Sequence, residues 1–411
     1  MSPFKVRNRI TRGKYAHWPL TLIIKKVSYF STDFTLGILG GGQLGKMLLS
    51  ETLKYDIRTI VLDPSSQAPA RFGCHAFFQG DLMDYDTVYQ FGKQADLLTF
   101  EIENVNVDAL ERLEQEGVKV YPTPASLRII QDKGAQKAFY KAHGIPTAPF
   151  EAFDSSTLLA TAVGEGRWTY PFVWKSTRFG YDGNGVKIVR NPQDLHALPQ
   201  GPCIAEQCAQ IDKELAVIVA RSPKGEVVTY PVVEMEFHPE ANQVEYVLCP
   251  ARIAENTSLQ ARQIALEVAQ SFGSIGLLAV ELFLTTKGEI WVNEVAPRPH
   301  NSGHYSIEAS YTSQFEQHLR AILDLPLGST ESKVAGVMVN LVGAEGYAGD
   351  VIYEHIEDVL SLPGVTPHIY GKRQTRPFRK MGHITITHPD IEQARLLAQT
   401  VKETIKVISR Q

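Results

Sequence analysis

Residues Ala279–Glu294 read AVELFLTTKGEIWVNE, and this stretch decides how the chain folds. Apolar and polar side chains alternate on both sides of Lys287-Gly288, which predicts a β-hairpin closed by a two-residue turn at those positions. In that register Glu281 and Glu294 lie directly opposite each other on one face, with Cβ atoms roughly 5 Å apart. The pattern therefore places two carboxylates side by side on neighbouring strands.

Two facing carboxylates need a partner, because like charges opposite each other destabilise a hairpin. A divalent cation between them turns repulsion into attraction, and Mg²⁺ prefers carboxylate and other oxygen ligands. Asn293 stands beside Glu294 as a further oxygen donor. The hairpin therefore predicts a Mg²⁺ site at Glu281 and Glu294. The alternative is a pair of solvated carboxylates on an edge ribbon.

A glycine-rich loop with a cation at its root lies upstream of the hairpin. Strand Phe172–Lys175 ends in that cation, residues 176–185 read STRFGYDGNG, and strand Val186–Val189 follows. Long polar loops between strands are often functional lids, and this one predicts a cover over a triphosphate although GxxxxGK[ST] is absent. A mobile exposed loop is the alternative. Glu206 and Glu214 follow as candidate contacts to a nucleotide base and its ribose.

A second glycine-rich turn opens the folded part of the chain. Strand Thr35–Leu39 runs into Gly40-x-Gly42-x-x-Gly45, a helix follows, and Asp63 closes the next strand. This arrangement matches the dinucleotide fingerprint and taken alone indicates a nicotinamide dehydrogenase. The same backbone amides suit a substrate phosphate or carboxylate equally well. A tight turn without a ligand is the third interpretation.

Two further polar segments lie downstream of the hairpin. Residues 297–303 read PRPHNSG, an irregular loop crowded with hydrogen-bonding groups directly after the predicted metal strand. Such a loop predicts an acceptor-substrate site, with a plain turn as the alternative. Residues 372–380 read KRQTRPFRK and carry five cations, which suit a phosphate monoester. A solvated basic turn is the alternative there.

Bulk properties exclude several classes of protein. The 411 residues carry a formal net charge of −4, which gives no global basic footprint for nucleic acid. No apolar run approaches the ~18 residues that span a membrane. Four scattered cysteines without a CxxC pair fit a reducing cytosol, so we expect a cytoplasmic protein.

The pattern of elements predicts the domain organisation. Residues 1–34 form a basic, acid-poor extension that we expect to be disordered, with an organelle transit peptide as the alternative. Strands alternating with helices predict a parallel-sheet α/β domain over 35–124, and short strands predict an α+β domain over 125–330. A small domain completes the chain over 331–411. Helices are expected at Ser126–His143 and Ile391–Val407.

Six motifs, in this order along the chain, resemble one family. The chain is similar to the N5-carboxyaminoimidazole ribonucleotide synthetases of the ATP-grasp superfamily. The motifs are Gly40–Gly45, Thr99–Val105, Gln131–Lys133, Gly180–Gly185, Asn293–His304 and Arg379–His383. The Asn293–His304 block is very specific, whereas the glycine turn and the Gln-Asp-Lys piece discriminate little. The resemblance implies a Rossmann-like pre-ATP-grasp domain, a central ATP-grasp domain and a small C-terminal domain.

The resemblance also implies an activity and its residues. Such enzymes join bicarbonate to the amine of aminoimidazole ribonucleotide in purine biosynthesis, spending ATP with Mg²⁺ and passing through carboxyphosphate. By motif match, the residues implied to bind ATP are Lys133, Lys175, Gly180, Tyr181, Asp182, Gly183, Asn184, Gly185, Val186, Glu206, Gln207, Cys208, Ala209, Glu214, Asn293 and Glu294. Those implied to bind the ribonucleotide and bicarbonate are Gln43, Glu103, Tyr181, Asp182, Arg298, His300, Asn301, Ser302, Lys372, Arg379 and Lys380. Glu281 and Glu294 would hold Mg²⁺, and a homodimer is expected.

Catalytic roles are hypotheses at this stage. Lys175 and Arg298 would stabilise the transferred phosphoryl group, and Asp182 or His300 would take the amine proton.

Three alternative functions stay open. They are another ATP-grasp ligase such as a formate-using transformylase, a nicotinamide dehydrogenase on the glycine turn, and a nucleotide sensor without chemistry.

Overall fold

A parallel sheet forms the first part of the computed structural model, which describes residues 29–178, 185–239, 241 and 243–410. Its five strands run in the order β3-β2-β1-β4-β5. The elements are β1 Thr35–Leu39, α1 Gln43–Lys54, β2 Arg58–Asp63, β3 Ala76–Gln79, α2 Tyr85–Gly92, β4 Leu97–Phe100, α3 Val107–Gln115 and β5 Lys119–Val120. The predicted parallel sheet with crossover helices is therefore confirmed.

The strand order places a crevice at one edge of this sheet. Chain order reverses between β1 and β4, and ligands of open α/β sheets bind at such a switch point, outside the carboxyl ends of the strands. The glycine turn follows β1 and Glu101 follows β4. Both therefore lie at the switch point.

A central antiparallel sheet follows two connecting helices, α4 Pro124–Ile130 and α5 Lys133–Ala142. Its strands run in the order β6-β9-β7-β8. The elements are β6 Phe150–Phe153, α6 Ser156–Gly164, β7 Phe172–Ser176, β8 Val186–Val189, α7 Pro192–His196 and β9 Cys203–Gln207.

The largest sheet runs in the order β15-β14-β10-β12-β13-β16-β20-β18, with β11 beside β10. Five of its strands and three helices follow one another along the chain together with β11. These elements are β10 Ile211–Arg221, β11 Val227–Thr229, β12 Val233–Phe237, β13 Val244–Cys249, α8 Glu255–Phe272, β14 Gly276–Thr285, β15 Ile290–Ala296, α9 Ser306–Ala309 and α10 Gln314–Ile322. The chain after these elements comprises β16 Ala335–Val342, β17 Gly349–Glu354, α11 Ile356–Val359, β18 Val365–Ile369, β19 Gln374–Thr375, β20 Lys380–His388, α12 Ile391–Thr404 and β21 Lys406–Ser409. Of these strands, β16, β18 and β20 belong to the largest sheet, whereas β19, β17 and β21 form a separate sheet in that order. Because β13 pairs with β16, the largest sheet continues across the predicted boundary at residue 330. Among the described helices, none is long and apolar enough to cross a membrane.

One buried histidine joins the first sheet to the largest one. His318 on α10 accepts a hydrogen bond from the backbone amide of Leu277 at Nδ1, 3.2 Å away. Its Nε2 lies 2.8 Å from Thr99 Oγ1 on β4. Burial lowers the pKa of His318 to about 3, so the ring is a neutral connector. This bridge holds the carboxyl end of β4 beside the hairpin that carries Glu281.

The hairpin itself corrects the predicted turn. Thr285 pairs with Glu289, so the loop has three residues, and Gly288 adopts a left-handed φ of +80°. This is the geometry of a type I turn followed by a left-handed glycine. The added residue shifts the register by one, and a β-bulge shifts it back: Leu282 pairs with Val292, but Val280 pairs with Val295. Glu281 therefore lies opposite Asn293 and Glu294 together.

Two predicted helices are also wrong in extent. The predicted helix Ser126–His143 is interrupted at Asp132, whose side chain accepts from the Ala135 amide and caps a new helix, α5. The predicted helix Ile391–Val407 stops at Thr404, because the next residues pair with β17 as strand β21. A local cap interrupts the first helix, and pairing with a distant strand ends the second, although the periodicity alone would extend both.

We predict that Gly288→Ala lowers the free energy of unfolding by about 1–2 kcal/mol, because an L-residue is disfavoured in the left-handed region. Gly164→Ala is the matched control, since an added methyl meets nothing within 4 Å at either position and the Gly164 backbone is helical. Urea unfolding checks both variants. Equal stability of the two would contradict the assignment of this turn.

Candidate functional site

The bulge in β15 brings three polar side chains onto one face. Asn293 and Glu294 are consecutive, yet both are partly exposed, whereas Val292 and Val295 on either side are buried. In regular strands neighbouring side chains point to opposite faces, so only the extra residue of the bulge allows this. Glu281 on β14 faces the pair. The predicted opposition of Glu281 and Glu294 is present, and the amide of Asn293 joins it.

Two lysines neutralise this cluster from neighbouring elements. Lys133, the first residue of α5, forms an ion pair with Glu294. Lys175 at the end of β7 donates to Asn293 Oδ1 over 3.0 Å and lies 2.9 Å from Glu206 Oε2. Helix α5, the central sheet and the hairpin therefore meet at a single group of charges.

A third lysine, which the sequence analysis did not single out, completes the group. Lys137 is 3% exposed, and its Nζ lies 3.2 Å from Glu206 Oε1. It also donates to Thr147 Oγ1, which in turn donates to the Val292 carbonyl on β15. Lys137 lies one helical turn after Lys133, on the same face of α5. This i, i+4 spacing is the sequence feature that could have identified Lys137 as part of the site.

The carboxylates respond differently to their surroundings. Burial and the neighbouring charge of Glu294 raise the pKa of Glu281, whereas the Lys133 ammonium holds the pKa of Glu294 below its usual range. Burial raises the pKa of Glu214, on the adjacent strand β10, to about 7. Two facing carboxylates with an amide oxygen beside them form a set of oxygen ligands, and this set fits a divalent cation held by Glu281 and Glu294.

The PRPHNSG loop lies against the other side of this cluster. His300 Nε2 is 3.3 Å from Glu281 Oε1, and its Nδ1 is 2.9 Å from Ser302 Oγ. Arg298 Nη2 is 2.8 Å from Glu103 Oε1, beyond the carboxyl end of β4. The predicted acceptor residues therefore contact both Glu281 of the carboxylate cluster and the switch point of the first sheet.

Buried amides fix the shape of this loop. The Gln314 side chain accepts from the His300 amide over 2.8 Å and donates to the His300 carbonyl over 2.7 Å, as a paired strand would. Asn301 and Asn340 of β16 exchange two hydrogen bonds of 3.0 Å. A Cβ at Gly303 would come within 2.4 Å of Gln314 Oε1, so only glycine fits there. No spacing rule pointed to Gln314 or Asn340.

The glycine turn is occupied by the protein's own carboxylates. The amides of Gly42 and Gly45 donate to Glu101, and the amide of Gly41 donates to Asp63 Oδ2 over 2.7 Å. A dinucleotide pyrophosphate would need these same donors. Burial raises the pKa of Glu101 to about 6 despite the two amides. These amides are therefore already engaged, which argues against the interpretation of the turn as a dinucleotide site of a dehydrogenase.

A cleft of about 590 Å³ connects this turn with the C-terminal basic segment. Its walls include Gly42, Lys372 and Arg379, and the last two of these were predicted from the sequence to bind the ribonucleotide. Gln43 opens α1 at the same edge. Lys372 donates to the Lys380 carbonyl over 2.8 Å, and the Lys380 charge acts on Glu281. The basic segment thus reaches from the cleft to the neighbourhood of Glu281.

The remaining predicted nucleotide residues surround the lysines or lie outside the described residues. The Ser176 amide donates to the Gly185 carbonyl, and Val186 pairs with Lys175, so the two ends of the glycine-rich loop are adjacent. Gln207, Cys208 and Ala209 connect β9 to β10 next to Glu206. Five predicted residues lie outside the described residues: Gly180, Tyr181, Asp182, Gly183 and Asn184.

Three family models match consecutive parts of the chain. Residues 34–131 match the ribonucleotide synthetase preATP-grasp domain and residues 138–315 match the ATP-grasp domain. Residues 336–396 match the phosphoribosylaminoimidazole carboxylase C-terminal domain. The three-part architecture expected from the motifs is therefore confirmed.

Two relatives illustrate the similarity. The N5-carboxyaminoimidazole ribonucleotide synthase of Bacillus subtilis is 36% identical over 355 residues, which cover 85% of this chain and 90% of the relative. The phosphoribosylaminoimidazole carboxylase of Ogataea methanolica is 38% identical over 365 residues, which cover 86% of this chain. The chain spans only 66% of the length of that second relative.

Two solved structures share the fold. The N5-carboxyaminoimidazole ribonucleotide synthetase of Thermotoga maritima is 43% identical with a TM-score of 0.84, covering 92% of this chain and 100% of that one. The Aspergillus clavatus synthase in complex with ADP and 5-aminoimidazole ribonucleotide is 35% identical with a TM-score of 0.81. That match covers 90% of this chain and 98% of that one.

We predict a pH-dependent contribution of Glu101 to stability. Its pKa is raised to about 6 in the fold, so the stabilisation is complete below the unfolded value of 4.5 and is lost as the pH rises through 6. The free energy of unfolding should fall by about 2 kcal/mol relative to Glu101→Gln between pH 4.5 and 7.5. Urea titrations at both pH values check this. Glu331→Gln, at an exposed carboxylate, should show no such change, and a constant difference for Glu101→Gln would contradict the prediction.

Proposed function

This chain belongs to the N5-carboxyaminoimidazole ribonucleotide synthase family of ATP-grasp proteins, and on that premise we propose its reaction. The chain joins bicarbonate to the exocyclic amine of 5-aminoimidazole ribonucleotide with hydrolysis of ATP to ADP and phosphate. One observation carries the proposal: His300 of the acceptor loop touches Glu281 of the carboxylate cluster, so a phosphoryl group and its acceptor would meet there.

The nucleotide would lie between the central sheet and the hairpin. Lys133 and Lys175 would hold its phosphates, and Glu281 and Glu294, with Asn293 beside them, would hold Mg²⁺. When bound, Mg²⁺ neutralises charge on the phosphates during transfer. Because the Glu206 carboxylate already forms ion pairs with two lysines, the base would be met by the segment Gln207–Ala209 instead.

The base and ribose contacts would come from elements next to the lysines. Glu214, raised in pKa to about 7 by burial, faces the same side of the sheet as Glu281 and is the candidate ribose contact. The glycine-rich loop, including Gly185 and Val186, would cover the phosphates from the β7–β8 connection. Tyr181 and Asp182 stay predicted substrate residues on that loop.

The acceptor side would take bicarbonate and the ribonucleotide. An oxygen of bicarbonate attacks the γ-phosphorus of ATP and ADP leaves, giving carboxyphosphate. The amine nitrogen then attacks either carboxyphosphate, with release of phosphate, or the CO₂ that forms when carboxyphosphate loses phosphate. Arg298, His300 and Lys380 would surround the anionic carbonyl group, with Asn301 and Ser302 shaping the loop around them. Lys372 and Arg379 line the cleft and would hold the ribose phosphate. Glu103 and Gln43, at the switch point, would contact uncharged hydrogen-bonding groups of the ribonucleotide. His300 or Asp182 would accept the amine proton.

Location and assembly are further proposals. The four cysteines are free thiols in the described fold, and a cytoplasmic location rests on that chemistry. A homodimer is proposed from the family alone, and sedimentation equilibrium tests it.

We predict that ADP release requires the ribonucleotide, bicarbonate and Mg²⁺ together. Each substrate completes the site only when the others are bound, so omission of one should reduce the rate to background. A coupled ADP assay with single omissions measures this, and ¹⁴C-bicarbonate should enter an acid-labile product. Formate replacing bicarbonate would favour the transformylase alternative, and ADP release that ignores the ribonucleotide would redirect the search to other acceptors.

We predict opposite effects of Glu281→Gln on activity and stability. Loss of one metal carboxylate should lower kcat by about 100-fold or more. Removal of a poorly hydrated like charge beside Glu294 should raise the thermal midpoint when Mg²⁺ is absent. Glu289→Gln, exposed in the same hairpin, is the control for both measurements. A Glu281→Gln enzyme with wild-type Mg²⁺ dependence would exclude this carboxylate as a ligand.

A further inference from the structure

Lys137 is a buried cation to which the roles above assign no task. Its ammonium shares the Glu206 carboxylate with Lys175: Oε1 lies 3.2 Å from Lys137 Nζ, and Oε2 lies 2.9 Å from Lys175 Nζ. Glu206 is 3% exposed, so water does not solvate this carboxylate. Burial lowers the pKa of Lys137 to about 8 while Glu206 opposes the shift, so the ammonium is charged at neutral pH. One buried anion therefore has two cationic partners.

The second bond of Lys137 fixes its place. It donates to Thr147 Oγ1 over 2.6 Å, and Thr147 Oγ1 donates to the Val292 carbonyl over 2.7 Å. Val292 immediately precedes Asn293, to which Lys175 donates. Lys137 is thus anchored between α5, β9 and β15, whereas Lys175 stands at the end of its strand next to the glycine-rich loop.

A bound nucleotide would affect Lys175 and Lys137 differently. If Lys175 turns from Glu206 toward a phosphate, the Glu206 carboxylate loses one of its two ion pairs. A buried carboxylate without any cation is strongly unfavourable, and it would pull Lys175 back. With Lys137 in place the carboxylate stays paired, and the charge of Lys175 is available to the nucleotide.

We propose that Lys137 is a positioning residue of the nucleotide site, the permanent counter-ion of Glu206 that releases Lys175 to the phosphates of ATP. This inference rests on the proposed function only in that the site binds MgATP; it requires neither bicarbonate nor the ribonucleotide.

The test is direct binding of a non-hydrolysable MgATP analogue by titration calorimetry. Lys137→Met and Lys137→Gln should both weaken the analogue about 10- to 100-fold, because Glu206 then competes for Lys175. Lys137→Arg keeps the charge and should stay within about threefold of wild type. Lys141→Met, at an exposed lysine one turn further along α5, is the matched control and should have no effect.

A double-mutant cycle separates this role from a merely structural one. With Glu206→Gln the buried charge is gone, so adding Lys137→Met should change the dissociation constant by less than about threefold. In turnover assays Lys137→Met should raise KM for ATP far more than KM for the ribonucleotide.

Three outcomes would overturn the proposal. Wild-type analogue binding by Lys137→Met is the first, and an equal loss from Lys137→Met with and without Glu206→Gln is the second. The third is unfolding of both Lys137→Met and Lys137→Gln while Lys137→Arg folds, which would assign the charge to stability alone. Failure of the carboxylation assay with the cycle intact would reject the proposed acceptor but keep this inference.

Discussion

The repulsion between two carboxylates on adjacent strands is the constraint on which the site depends. Glu281 and Glu294 are held together by a bulge, and burial raises the pKa of Glu281. Such a pair persists only if cations from other elements lie close by. Lys133 meets that need from α5, and Lys175 brings a second cation to the cluster through Asn293. The fold assembles three elements here because none of them alone balances the charge.

The same constraint links the nucleotide side to the acceptor side. His300 reaches Glu281 only because Gln314 holds the backbone of the loop and Asn340 holds its next residue. Gln314 lies on the helix that also carries His318, the connector to the first sheet. A displacement of α10 would therefore move the acceptor loop and the switch point together. Positions far from any substrate control the geometry at the reacting centre in this way.

Much of this arrangement is predictable from residue patterns, and the failures have physical causes. Alternation predicted the two strands and the opposition of Glu281 with Glu294, but through two errors that cancel: the loop has three residues, and the bulge restores the register. A bulge depends on tertiary contacts and leaves no mark in the period of the strand. Lys137 escaped notice because a lysine on a helix is usually solvated, and only the fold shows that it is buried. Residue patterns predict which segments carry the polar groups of the site, whereas burial in the fold determines which of these groups form strong ion pairs.

Several charges of the protein occupy places where substrate charges are expected, and burial separates the permanent contacts from the exchangeable ones. The Glu101 carboxylate fills the glycine turn, where it accepts hydrogen bonds from two backbone amides. Displacing it would leave a partly buried carboxylate without these donors. The turn is therefore structural, and under the proposed function the phosphate of the acceptor would be met by Lys372 and Arg379, which line the cleft. Lys133 and Lys175, by contrast, pair with carboxylates that a metal ion or Lys137 can satisfy instead. A lysine whose carboxylate partner has another cation nearby can turn to a nucleotide without leaving that carboxylate unpaired.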